Sequence, residues 1–347
     1  MAAWNTLGRG YNRAVTKIKP QESEAQGFHV HRGSGILTLI FSAGMTAWAA
    51  APVLLPQPSQ SDPEFKISGP QAGNAQPPSP AEMKTRTDEL IANQHSDDQL
   101  VEQYEHVERE IDRSGGTEQK VLQDRTFRVV PTGTGTLRIL LRENGKNADP
   151  ADYRKQLQAW QDVLELALKP DDPREQSAYT KFEKKKRDRA EMVDSAREAF
   201  LQKWIGRETL YGHDCDVIQL DPNPNYHPHS LMQEAVTHFT AKAWVDHGSN
   251  QLVHGEARVI RDISVGGGIL GKLYRGGVFS FDQAPVAPGV WFPVRYQYDF
   301  TGRKFLFTFE VHQVVQSNQY RRVGPPREAL ATVQNEIASG KIVTADP

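Results

Sequence analysis

Two adjoining stretches in the second half of the chain alternate apolar and polar residues with a period of two. Val290, Phe292, Val294, Tyr296, Tyr298 and Phe300 fall on one side, opposed by Trp291, Arg295, Gln297 and Asp299. Phe305, Phe307, Phe309 and Val311 repeat the pattern against Lys304, Thr308, Glu310 and His312. Successive side chains of a strand point to opposite faces, so each stretch reads as a strand with one buried face, the signature of an antiparallel sheet. Segments 208–220, 239–246, 251–263 and 277–281 read as further strands, joined through turn-forming runs such as Asp246-His247-Gly248-Ser249-Asn250. In the first half, 103–111 and 119–130 flank Ser114-Gly115-Gly116. Segment 136–142 then sets Leu137, Ile139 and Leu141 against Arg138 and Arg142 before the turn pair Asn144-Gly145. One apolar face per strand and short connections predict an α+β fold. Its centre is a curved antiparallel sheet, a half-open β-barrel with helices covering its mouth.

The rest of the chain divides by composition. Segment 51–80 is rich in Pro, Gln, Ser and Gly and reads as a disordered linker, too poor in apolar residues to offset chain entropy. A helix follows over 81–94, with Pro80 placed to start it. The single domain then spans 81–324. A charged helical insert, 150–204, interrupts it with two surface helices separated by Pro170-Asp171-Asp172-Pro173, and Lys184-Lys185-Lys186-Arg187 reads as a solvated helix face. From 325 to 347 the chain looks loosely held apart from one short helix over 328–339.

Segment 35–51, GILTLIFSAGMTAWAAA, is an apolar run behind Arg32 that closes on small residues, the parts of a cleaved signal peptide. Export to the periplasm or another envelope compartment is therefore expected, with 1–50 removed and 1–30 read as an upstream extension outside the folded protein. Removal takes away five basic and two acidic residues and leaves a mildly acidic chain. With 41 Lys and Arg against 43 Asp and Glu overall, a nucleic-acid partner is not expected, since that needs a basic surface. One cysteine excludes an internal disulfide and any multi-thiolate zinc site, and no cofactor or metal is expected.

Candidate chemistry is sparse. Gly266-Gly267-Gly268-Ile269-Leu270-Gly271-Lys272-Leu273 approaches a phosphate-binding loop, but Leu273 stands where a hydroxyl would hold magnesium, and Gly276-Gly277 deny the following helix. His213, Asp214, Cys215 and Asp216, with His227, His229 and His238, are metal-ligand types without a metal-binding spacing. Cys215 precedes Val217, Ile218 and Leu220 and reads as a buried thiol, and no serine-nucleophile motif occurs. No catalytic residues are expected. What remains is an apolar sheet face, predicted to be lined by Leu137, Ile139, Phe292, Val294, Tyr296, Phe305, Phe307 and Phe309.

A further feature sharpens this reading. Trp244-Val245-Asp246, a short turn, then Leu252-Val253-His254-Gly255-Glu256, followed later by Gly289-Val290-Trp291-Phe292-Pro293 and Gly302-Arg303, resembles the outer-membrane lipoprotein-sorting superfamily of periplasmic carriers and receptors. The turn Glu143-Asn144-Gly145-Lys146 before a charged insert resembles, more closely, an uncharacterised secreted family related to it. The resemblance covers 99–323. It implies a half-open barrel with a cavity for acyl chains, and a lipid or an acylated protein as partner, besides an envelope protein. Arg258 and Arg295 are the candidates for the carriers' cavity arginine. The long insert departs from the simple carriers. The alternatives are an envelope scaffold with a closed core, or a metal-dependent hydrolase built on 213–238.

Overall fold

A computed structural model describes residues 76–343 apart from 117–118, 266–269, 306 and 341–342, so the export segment and most of the linker lie outside the described residues. Thirteen strands form one antiparallel sheet: β1 (Tyr104–Arg113), β2 (Val121–Pro131), β3 (Thr136–Glu143), β4 (Lys146–Asn147), β5 (Phe200–Leu210), β6 (His213–Pro222), β7 (Phe239–Asp246), β8 (Leu252–Val259), β9 (Ile263–Val265), β10 (Gly271–Leu273), β11 (Val278–Ala287), β12 (Val290–Lys304) and β13 (Phe307–Arg322). Among the described residues five α-helices accompany it: α1 (Pro80–Leu100), α2 (Pro150–Ala167), α3 (Pro173–Ala199), α4 (Leu231–Val236) and α5 (Pro326–Ser339). The main sheet runs β4-β3-β2-β1-β13-β12-β11-β8-β7-β6-β5, with β10 and β9 appended at β12. Its two ends do not meet, so the sheet is curved but not closed into a barrel.

Curvature is visible where the β5–β6 hairpin folds back over the sheet. The Tyr211 hydroxyl donates to Asp282 of β11 at 3.3 Å, and the His213 ring lies 4.9 Å from that of Trp291, although β7 and β8 stand between β6 and β11. That hairpin corrects the single strand expected over 208–220. The chain reverses at Tyr211-Gly212, both at positive φ (51° and 85°), the backbone of a type I′ turn. A tyrosine in the first position hid the turn.

The helices begin as their sequences dictate. Ser79 caps α1 in a reciprocal capping box with Glu82, and Pro80 occupies the first turn. Asp149 and Asp172 cap α2 and α3, each followed by proline, and Gly340 ends α5 in the left-handed region. The insert differs from a pair of surface helices. Tyr153, Leu157, Trp160 and Leu164 of α2 recur at helical spacing and are fully buried. They pack with Ile139 and Leu141 of β3, Val130 of β2, Val107 of β1, and Ala329 and Val333 of α5. The Trp160 indole donates to the Pro131 carbonyl at 2.9 Å. The segment after Pro325, expected to be loosely held around its helix, thus closes this core. The second insert helix stops at Ala199 rather than continuing to Trp204, which lies on β5.

On β1 the two faces separate cleanly. Val107 joins the α2–α5 core, while Tyr104 packs against Phe292 and Tyr320 on the other face. That second face is the one crossed by α1, through Met83 and Leu90 against Ile218, Ala243 and Val245, and through Leu100 and the following Val101 against Phe292.

Candidate ligand-binding face and cleft

The second face carries a ladder of aromatic rings on neighbouring strands. Phe279 and Phe281 of β11 stand opposite Tyr298 and Tyr296 of β12. Ring centroids are 5.4 Å apart for Phe279–Tyr298, 6.3 Å for Phe281–Tyr296 and 6.3 Å for Tyr298–Phe300. Offset contacts at such distances contribute beyond simple burial. Gly255 of β8 lies opposite Phe281, and a Cβ there would stand 2.4 Å from that ring, so a glycine is what lets the phenyl lie against the neighbouring strand. Phe279, Tyr296 and Phe300 are buried, together with Ala235 of α4, whereas Phe281, Tyr298, Phe309 and Val311 remain partly exposed. Burial pushes the Tyr298 phenol well above its ordinary pKa, so it stays protonated and neutral.

Beside this aromatic sector the same face turns ionic. Glu110 of β1 lies opposite Val315 of β13, which lies opposite Tyr296. Arg125 reaches Glu110 at 2.5 Å and Asp112 at 3.2 Å, and Arg138 bonds both Glu108 and Glu110. The Arg138 guanidinium also sits 4.1 Å from the Phe127 ring centre. Burial works against the Glu108 charge, yet Arg138 beside it holds the carboxyl below its ordinary range. The sequence reading missed this ladder, because its members become neighbours only once β1 is paired with β13 at the far end of the chain.

Two helices roof this face, and their seam is polar. Four ion pairs join α1 to α3: Asp88 with Arg197 at 2.7 Å, His95 with Asp194 at 2.9 Å, Asp98 with Arg189 at 2.5 Å, and, just past the end of α1, Glu102 with Lys186 at 2.8 Å. Polar groups also fasten α1 to the sheet. Arg86 reaches Asp216 at 3.0 Å, and Asp97 accepts the Trp291 backbone N–H at 3.1 Å. Burial raises the Asp97 carboxyl to about 6, against the opposing pull of that hydrogen bond. Between α1, α3 and the β2–β3 turn opens a cleft of about 1010 Å³. Its floor includes Val101, which is also packed on Phe292 and Tyr320, and its wall includes Phe182, Lys181 and Lys185 of α3.

The eight residues expected on the apolar face separate into groups. Leu137 and Ile139 lie on the opposite face, in the core under α2 and α5. Phe292 and Val294 pack with Val101 and Tyr320 beneath the end of α1. Tyr296 and Phe309 belong to the aromatic sector. Phe305 and Phe307 stand at the tip of the β12–β13 hairpin, 52% and 78% exposed. Arg295 and Arg258 alternate with Tyr296 and Ala257 and so face away from the ladder; the arginines on its own side are Arg125, Arg138 and Arg189.

The remaining candidates have structural partners. His213 pairs with Asp246 at 3.3 Å, and Asp216 gathers Arg86, Trp204, Arg207 and His247. Burial pushes the Cys215 thiol up to about 12, where it is no nucleophile. Gly271–Leu273 is strand β10, and Lys272 pairs with Asp262 at 2.8 Å. His254, which the sequence offers only as part of the Leu252–Glu256 run, is buried with Asp282 at 2.5 Å. Burial opposes its charge, but Asp282 and Glu256 outweigh it and raise the imidazole to about 9. Among the described residues, no three His, Cys, Asp or Glu side chains are placed to share a metal ion.

The sequence matches no protein-family model and no curated protein. Among solved structures, the chain is similar to an outer membrane lipoprotein-sorting protein domain from Vibrio parahaemolyticus, at 9% identity and a TM-score of 0.29, over 68% of this chain and 93% of that one. It is similar to a LolA superfamily protein from Nitrosomonas europaea, at 9% identity and a TM-score of 0.29, over 71% and 96%. A DUF1329 family protein from Desulfovibrio piger gives 13% identity and a TM-score of 0.27, over 69% and 92%. Likeness at these scores carries no site geometry across.

Proposed function

We propose that this chain is a non-enzymatic, exported binding protein of the periplasm that takes the acyl chain of a lipid or of an acylated protein, in the manner of a lipoprotein carrier. The observation that supports this most directly is the aromatic ladder of β11 and β12, left partly open under a roof held by polar contacts. Here α1 packs Leu100 and Val101 at the Phe292–Tyr320 end of the face, while α1 and α3 meet through ion pairs and leave a cleft beside it. An acyl chain laid on Phe281, Tyr298 and Phe309 would gain about 0.8 kcal/mol per methylene removed from water. Export rests on the 35–51 segment of the sequence. No described helix is long and apolar enough to cross a membrane.

The test is native mass spectrometry with organic extraction on protein purified from the periplasm. A stoichiometric lipid that is lost in Tyr298→Ser, with the fold of that variant verified by circular dichroism, supports the reading. An apo mass unchanged after incubation with phospholipid or acylated peptide removes it and leaves an envelope scaffold. The scaffold reading draws on the other face, where Leu137 and Ile139 are part of a sealed core.

A further inference from the structure

We propose that the cleft between α1, α3 and the β2–β3 turn holds the anionic headgroup, carboxylate or phosphate, of a single-chain amphiphile whose tail lies on the aromatic face. This rests on the acyl-binding reading above and adds the chemistry of the head.

The charges lining the cleft do not balance. Arg174, Lys181, Lys185, Lys186, Arg187 and Arg189 face Asp98, Glu102 and Glu183. Two of these acids are engaged: Asp98 by Arg189 and Glu102 by Lys186. Arg174 is held by Asp172, at 2.7 Å and 3.0 Å. That leaves Lys181, Lys185 and Arg187 with no ion partner among the described residues, against Glu183 alone. Lys181 and Lys185 lie four apart on α3, and Ala178 and Phe182 interrupt the charge with apolar surface. Across the opening, the turn Thr134-Gly135-Thr136 adds hydroxyls and backbone rather than acids. A cationic wall over an apolar floor complements a negative head joined to an apolar tail.

Size and continuity agree. At about 1010 Å³ the cleft lies at the upper end of the roughly 300–1,000 Å³ usual for small-molecule sites. Val101 is common to its floor and to the Phe292–Tyr320 cluster, and Arg189, which lines it, lies close enough to Tyr296 to act on its phenol. A tail leaving the cleft therefore meets Val101 and the Phe292–Tyr320 cluster first, passing beside the Arg189–Asp98 pair. An acidic peptide would use the same wall but would have no use for that floor.

The experiment measures binding of four amphiphiles with one C16 tail, below their micellar concentrations: palmitate, lysophosphatidate, lysophosphatidylcholine and monopalmitin. It uses the full mature chain and the doubly substituted Lys181→Glu, Lys185→Glu variant. Both positions are exposed, so the variant keeps its fold, as circular dichroism would verify. Palmitate or lysophosphatidate, or both, should bind about tenfold tighter than the two lipids without net charge. The double substitution should erase that margin and leave monopalmitin unchanged, because a tenfold margin is about 1.4 kcal/mol, within the range of two exposed charge contacts. Which anion leads tells carboxylate from phosphate. Equal affinities for all four, unmoved by the substitution, overturn the headgroup assignment while the acyl-binding reading stands. Binding of none overturns both. An acidic peptide captured in place of every lipid overturns the amphiphile in favour of a protein partner.

Discussion

The two faces of the sheet are roofed differently. On one, α2 and α5 meet the strands through Tyr153, Leu157, Trp160, Leu164, Ala329 and Val333, all buried, with the Trp160 indole aimed at Pro131. They do so around one buried ionic centre, in which Arg128 of β2 donates to Glu336 of α5 at 2.6 Å and to the Tyr153 hydroxyl at 3.2 Å. On the other, α1 packs Met83, Leu90 and Leu100 on the sheet, but α1 and α3 hold each other through carboxylates, guanidiniums, an ammonium and an imidazole. The residues they bury include Asp97, Glu175 and Ser195 beside Ile91 and Ala199. Apolar seams gain their energy from area and lose it all at once. Polar seams exchange protein partners for water at small net cost. The first roof is therefore built around the larger apolar core, and the second around a run of partly exposed ion pairs.

The largest effect should come from attacking the sealed face. Trp160→Ala removes the central ring of the α2–α5 core and should cost about 3–5 kcal/mol by equilibrium denaturation. A loss below about 1 kcal/mol would erase the contrast between the two roofs. Next is Asp97. Its folded-state carboxyl, at about 6, lies above the ordinary 3.8, so the ionised form costs stability at neutral pH. The fold takes up a proton as pH falls through about 6, stability from this group rises down to about 4, and it is constant below. Asp97→Asn keeps an acceptor for the Trp291 N–H, should stabilise the protein by about 2 kcal/mol at pH 7.5, and should remove that slope. Unchanged pH dependence of the denaturation midpoint would show that α1 is not seated through this carboxylate.

A smaller effect is expected from salt. Raising sodium chloride from 0.05 to 1 M should speed hydrogen exchange in α1 and α3 severalfold and leave α2 and α5 protected. Uniform change across all four helices would mean that the two roofs open together. Smallest of all, Phe307→Ser at the exposed hairpin tip should move stability by less than about 0.5 kcal/mol. A larger loss would place that ring in a packed surface.

Strands were the most legible part of the sequence, because period-two alternation survives without knowing the partners; segment 239–246 is strand β7, residue for residue. Helix α2 was misjudged for a physical reason. Arg154, Lys155, Asp162 and Glu165 dominate its composition, although Tyr153, Leu157, Trp160 and Leu164 stand at spacings of four, three and four, the core-facing stripe. Alternation alone could not tell the two faces of the sheet apart. Leu137 and Phe292 look equivalent in sequence and are separated by the sheet itself. Phe279 and Phe281 follow the same rule as Tyr296 and Tyr298, and were legible as strand residues but not as their ring partners. The Glu108–Arg138 ladder and the α1–α3 ion pairs depend on contacts between distant segments, and no local pattern announces them.

The pairing of β1 with β13 bears on how the molecule is assembled. Tyr104 lies opposite Arg322, more than two hundred residues away, so the middle of the sheet joins segments far apart in the chain. Closing so long a loop is slow, and until β13 emerges β1 can pair only with β2, leaving a bare edge. The residues of that edge, Glu105, Glu108, Arg109, Glu110 and Asp112, are mostly charged, and charge on an unpaired strand discourages it from joining a strand of another chain. The glutamates that later sit buried beside arginine thus guard the half-made protein first, before they serve in the finished one.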